Sequence, residues 1–253
     1  MLKARVMPCL LLKGRGLVKT VRFKNPNYVG DPINTIRIFN EKEVDELILL
    51  DITATTESKK PNFETISEVA SECFMPLTYG GGIRTIEDAK MIFNLGVEKV
   101  AINSYAVENP SFIRELAALF GSQSVVISID VKKTWLGKYA VHTHGGKNVT
   151  KYDPVEWAKF MEETGAGEIL LTSIDRDGTY EGYDIELIRM VSAAVTTPVI
   201  ACGGACRLED FTEAVKAGGA SAVAAGSMVV YQGKNRGVLI NFPARNELEA
   251  VLK

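Results

Sequence analysis

Asp130 closes the apolar run from Ser124 to Ile129 and is followed by Val131 and two lysines. A carboxylate at the end of such a strand points toward a bound ligand and can exchange a proton with the ligand's middle, as a general acid or base does. Two glycine turns occupy comparable places. Gly80-Gly81-Gly82 ends the run that starts at Pro76, Gly203-Gly204 ends the run that starts at Pro198, and each leads into a helical pattern. Glycines there let backbone N–H groups close on an anion. Asn103-Ser104 and Gly226-Ser227 end the next apolar runs and complete each cradle. Two cradles imply a small-molecule ligand with a phosphate at each end, a bisphosphate. Asp51 ends another run and either faces the ligand or caps a turn. Asp177, followed by Gly178, either hydrogen-bonds ligand hydroxyls or orders its own loop. The stretch from Lys13 to Asp31 carries Lys13, Arg15, Lys19, Arg22 and Lys24 against one acid at its end. Read as a structureless loop, it is either a mobile cationic lid over an anionic ligand or a solvated excursion.

These residues need elements that bring them to one place. Short apolar runs alternate with helical patterns along the whole chain, which argues for a parallel sheet with crossover helices. Strands are expected near Arg5–Leu11, Glu46–Asp51, Pro76–Tyr79, Val97–Asn103, Ser124–Asp130, Gly167–Thr172, Pro198–Cys202 and Ala220–Ala225. Helices are expected over Thr85–Leu95, Asp153–Gly165 and Leu208–Gly218, with Asp153-Pro154 as an N-cap and first-turn pair. Eight strands in a chain of 253 residues fit a single (β/α)8 barrel over residues 1–253. In that fold the carboxyl ends of the strands form one functional face. The chain also repeats itself: Glu46 and Glu168, Pro76 and Pro198, Gly81 and Gly203, Glu87 and Glu209, and Gly96 and Gly218 are each separated by 122 residues. A duplicated and fused half-barrel explains a single offset, whereas chance likeness would scatter it.

The formal net charge of −2 gives no basic field for nucleic acid or an anionic membrane, and no apolar run reaches the length of a membrane span. Val6 to Leu12 is interrupted by Pro8 and followed by basic residues, unlike a secretion signal. The four cysteines form no CxxC pair, and the two histidines, His142 and His144, are too few for a zinc site. Reduced cysteines in the cytoplasm, and neither metal nor cofactor, are expected.

The motifs DELILLDITA, YGGGI, INSYAVENPS, FGSQSVV, GAGEILLTSIDRDGT, GYD and ACGGA resemble the cyclase subunit of imidazole glycerol phosphate synthase, from Met1 to about Val230. The resemblance implies a barrel paired with a separate glutaminase subunit. Ammonia from that partner crosses the barrel axis and reacts at the mouth with a phosphoribulosyl-type bisphosphate, giving imidazole glycerol phosphate and an aminoimidazole carboxamide ribotide. It also implies an ammonia gate at Arg5, Glu46, Lys99 and Glu168, a lid lysine at Lys19, and polar residues of the inner passage at Thr78 and Thr172. Taken alone, four charges at strand starts form either a gate or an ion cluster. One family feature is missing. Catalytic aspartates are expected at the ends of the first and fifth strands, and Leu11 stands in the first position while Asp130 fills the second. The segment after Tyr231 also departs from the family pattern, with a short final helix at most. Leu11 and its PCLLLK context resemble a paralogous branch linked to sugar amidation in surface polysaccharides. The resemblance to that branch implies a relay of ammonia to a separate sugar amidotransferase.

Overall fold

Eight parallel strands close on themselves in a computed structural model that describes residues 4–233 and 235–252. Met1 to Lys3, Lys234 and Lys253, which the reading of one domain takes in, lie outside the described residues. The strands are β1 (Arg5–Lys13), β2 (Leu47–Asp51), β3 (Leu77–Gly80), β4 (Lys99–Ile102), β5 (Val125–Lys133), β6 (Glu168–Ser173), β7 (Val199–Cys202) and β8 (Ala222–Ala225). Each pairs in parallel with the next, and β8 returns to β1 through Arg5↔Ala222 to Pro8↔Ala225. A helix follows each strand: α1 (Pro32–Glu41), α2 (Phe63–Glu72), α3 (Ile86–Asn94), α4 (Ser111–Phe120), α5 (Pro154–Thr164), α6 (Ile185–Ser192), α7 (Leu208–Lys216) and α8 (Arg245–Leu252). This is the (β/α)8 barrel expected from the alternating pattern. Among the described residues no helix is long and apolar enough to cross a membrane.

The two-residue period of a strand sorts its side chains between two cores. In β1, Val6, Leu10 and Leu12 pack under the helices, whereas Met7, Cys9 and Leu11 turn to the barrel axis. In β2, Leu47 and Leu49 face out while Ile48 and Leu50 face in. The axis is therefore apolar along much of its length. The same parity sends Arg5, Glu46, Lys99 and Glu168 inward at the amino end, and Asp130 inward at the carboxyl end.

The repeat is visible in local geometry. At the start of α3, Asp88 accepts hydrogen bonds from the N–H groups of Arg84 and Thr85, at 3.3 and 3.2 Å. At the start of α7, Asp210 does the same for Cys206 and Arg207, at 2.8 and 3.1 Å. Asn103 and Gly226 hold nearly the same backbone angles, φ/ψ −118/−87 and −106/−84, before one-turn helices at Ser104–Glu108 and Ser227–Val230.

The structure corrects the reading of Lys13 to Asp31 as a structureless loop. Strands Gly16–Val21 and Lys24–Gly30 form an antiparallel hairpin that continues from β1 through Leu11↔Val18 and Leu12↔Leu17. Burial of Leu17 and Val18 holds it down. Its turn residues, Arg22 and Phe23, both have positive φ, 53° and 60°, where two-residue hairpin turns ordinarily use asparagine and glycine. Nor does β5 end at Asp130: it runs on to Lys133 and pairs with an antiparallel strand, Tyr139–Thr143.

Candidate functional site

The charges at the amino end close into a ring. Arg5 bridges Glu46 at 2.6 Å and Glu168 at 2.5 Å, and Lys99 bridges the same two carboxylates at 2.8 Å each. The Glu46 and Glu168 side chains are only 4% and 10% exposed, so each depends on both cations. Burial works against the Arg5 charge, but Glu168 and Glu46 outweigh it and hold the guanidinium above its ordinary pKa. The Thr78 hydroxyl donates to Glu46 at 3.2 Å and so belongs to this layer.

At the carboxyl end a cavity of about 240 Å³ takes in every mouth residue picked out from the sequence. Gly81, Gly82, Asn103 and Ser104 form one side and Gly203, Gly204, Gly226 and Ser227 another. Gly81 and Gly203 need to be glycine: φ is +125° and +92°, and a Cβ would lie 2.6 Å from the Asp51 carbonyl oxygen and 2.7 Å from that of Ser173. Those two contacts are themselves 122 residues apart in sequence, as the duplication requires.

Asp130 accepts from Asn103 Nδ2 at 2.9 Å and lies 3.4 Å from the Ser128 hydroxyl. Burial pushes its carboxyl up to about 7; the Ser128 hydrogen bond opposes this and the charge of Asp177 adds to it. Near neutrality the group can both hold and release a proton. Leu11 lines the cavity beside Leu50 and Cys9 and packs against the axis cluster, so this wall of the mouth is apolar. Asp51 follows the outward parity of Leu47 and Leu49. Its Oδ1 accepts from Thr53 N, Thr53 Oγ1 and Ala54 N at 2.8, 2.8 and 3.1 Å, the turn-capping role.

Asp177 ties the hairpin down. Its Oδ2 accepts from the Thr20 hydroxyl at 2.8 Å and from Phe23 N at 3.3 Å, and its carbonyl accepts from Arg22 N at 2.8 Å. Burial raises its pKa, and the Thr20 hydrogen bond and the Lys19 charge pull the other way. Gly178 has φ +68° and lies against the Thr20 carbonyl. Lys19 is buried: its ammonium donates to the Cys9 carbonyl and fills the space that a side chain at Gly226 would take. Sequence reasoning missed Thr20 and Phe23, which act across more than 150 residues of chain, and Arg84 and Lys147, which also line the cavity. All four cysteines are free thiols.

A model of the histidine biosynthesis protein family matches residues 5–236. The chain belongs to this family, among its HisF-type imidazole glycerol phosphate synthase subunits. It is 57% identical to the provisionally named imidazole glycerol phosphate synthase subunit hisF2 of Pseudomonas aeruginosa, over 98% of this chain and 99% of that protein. A Leptospira interrogans protein with the provisional name imidazole glycerol phosphate synthase subunit HisF is 48% identical, over 99% of both chains. A subunit hisF3 of Vibrio vulnificus, also provisionally named, is 45% identical over 100% of this chain and 98% of its own length. In this HisF-type chain Asp130 faces the mouth, while an apolar side chain, Leu11, takes the corresponding inward position on β1.

Proposed function

We propose that this HisF-type barrel docks a glutaminase subunit at its amino end, admits ammonia through the charged ring and carries it along the axis to the mouth. From there the ammonia passes to a separate sugar amidotransferase that amidates a nucleotide sugar for surface polysaccharide, such as lipopolysaccharide. The carrying observation is the alignment of a closed ring of four charges with an apolar axis that Leu11 extends into the mouth. An apolar lining favours neutral ammonia over ammonium and water, because a desolvated charge is costly there. The cradles keep their bisphosphate reading, but cyclisation is impaired because Leu11 cannot move a proton. Removing one of two cooperating acid/base groups costs on the order of 10²–10⁴ in rate.

The names of the relatives, together with Asp130 poised near neutrality, favour a second reading: an active cyclase of histidine biosynthesis. One experiment separates the two. The chain and a Leu11→Asp variant are each mixed with the cognate glutaminase, glutamine, the phosphoribulosyl-type bisphosphate and, separately, nucleotide-sugar acceptors with their amidotransferase. The relay reading expects amidated sugar from the unaltered chain and cyclase turnover at least about 100-fold slower than that of Leu11→Asp. Cyclisation by the unaltered chain at the rate of the variant would establish the second reading instead.

A further inference from the structure

The segment after Tyr231 is not a loose tail. Tyr231–Gln232 and Gly237–Val238 form an antiparallel hairpin immediately after the turn at Ser227. The hairpin reaches back to the loop after β6: the Arg236 guanidinium carbon lies 4.8 Å from the centroid of the Tyr180 ring, a cation–π distance. The Tyr180 hydroxyl in turn donates to the Ser227 carbonyl at 3.1 Å, an oxygen that also accepts from Tyr231 N. Hairpin, loop and second cradle therefore meet at one peptide group. A trans peptide is planar, so fixing the Ser227 carbonyl also fixes the N–H of Met228, a first-turn donor of the one-turn helix that follows Gly226.

Both partners of the ring contact hold a left-handed backbone, with φ +63° at Tyr180 and +50° at Arg236. Bulky residues seldom adopt it, and it persists where surrounding contacts enforce it, often at segments that grip ligands. Burial raises the Tyr180 pKa, with Arg236 and the Ser227 contact opposing, so the hydroxyl stays protonated and keeps donating. The first cradle is held differently. There His144, at φ +54°, donates its backbone N–H to the Ser104 hydroxyl at 3.0 Å. Both cradle serines are thus braced from a neighbouring loop, but only the second brace is a side chain with a support of its own.

We propose that Tyr180 is a positioning residue for the second phosphate cradle and that Arg236 holds it in place, so the C-terminal hairpin sets the grip of that cradle alone. This rests on the bisphosphate reading of the mouth. Crystals of the protein and its variants, soaked in graded arsenate, report occupancy at each cradle separately through anomalous scattering. Tyr180→Phe keeps the ring beneath Arg236 and removes only the hydroxyl. It is expected to raise the half-saturating concentration at the second cradle about three- to tenfold and to leave the first unchanged. Arg236→Gln should shift the second cradle in the same direction, and Arg236→Lys, which keeps a cation over the ring, should restore most of the affinity. Equilibrium dialysis of arsenate gives the same comparison in solution, with one of two sites weakened. Unchanged occupancy at the second cradle in Tyr180→Phe overturns the proposal, as does an equal shift at both cradles. Arsenate at neither cradle of the parent removes the bisphosphate reading and this proposal with it.

Discussion

Asp130 carries a measurable signature of its surroundings. Its carboxyl titrates at about 7 in the folded chain, against an ordinary value of 3.8. Between those two values the folded protein keeps a proton that the unfolded chain has released, so this group's contribution to stability is greatest below about pH 4 and falls as the pH rises toward 7. Asp130→Asn keeps the size of the side chain and cannot ionise. Its stability relative to the parent should therefore improve by up to a few kcal/mol from pH 4 to pH 8, measured by denaturant unfolding at each pH. A constant difference across that range would show that the carboxyl titrates at its ordinary value. Leu11 needs no such test of charge. Its effect is to leave the inward position of β1 across from Asp130 without a carboxylate, and burial, more than the charge of Asp177, raises the Asp130 pKa.

At the scale of elements, the hairpin after β1 shows what the sequence could not announce. Its turn consists of Arg22 and Phe23, which carry no turn signature, and their strained backbone is held by contacts to Asp177 far along the chain. Local propensity argues against that turn, and only the tertiary contacts make it stable. Thr20→Val removes the shortest of the side-chain bonds to Asp177 and leaves a buried carboxylate less satisfied, at a cost of about 1–2 kcal/mol. If that loss falls on the hairpin, trypsin should cut after Arg22 or Lys24 about five- to tenfold faster, since cleavage follows the population of the opened form. Unchanged cleavage would mean that burial of Leu17 and Val18 is sufficient to hold the hairpin. The barrel strands, by contrast, were legible because each is a short apolar run followed by a helix pattern. The caps at Asp153 and Thr85 lie where short-range chemistry demands them. The mouth residues were legible for the same reason: glycine turns and an aspartate closing an apolar run are local features. Asp51 could be read two ways because the residue type alone does not reveal parity; it caps its own turn and also lines the mouth cavity. Counting from Leu47 and Leu49 turns it away from the axis.

On the scale of the whole molecule, the amino-end ring joins β1, β4 and β6 with the residue just before β2, so one substitution is felt around the circumference. Lys99→Leu leaves two buried carboxylates facing Arg5 alone and should lower stability by about 2–4 kcal/mol. Under the relay reading it should also uncouple the partners: glutamate accumulates from glutamine hydrolysis while less ammonia reaches the acceptor, with the remainder found in solution. Ammonia delivery equal to that of the parent would make the ring a structural cluster only. The arrangement of the ring has one more consequence. Arg5, Glu46, Lys99 and Glu168 alternate in sign around a closed circuit, and together they carry neither net charge nor, to first approximation, a net dipole. Such a quadrupole has a field that dies away within a few ångströms, so the intact ring neither attracts nor repels cations from a distance and acts on a passing molecule only by touch. Removing one cation converts it into a monopole of negative sign at the amino end of the apolar barrel axis. Under the relay reading, that charge would hold ammonium at the entrance, and ammonium is the form of the cargo that an apolar axis disfavours.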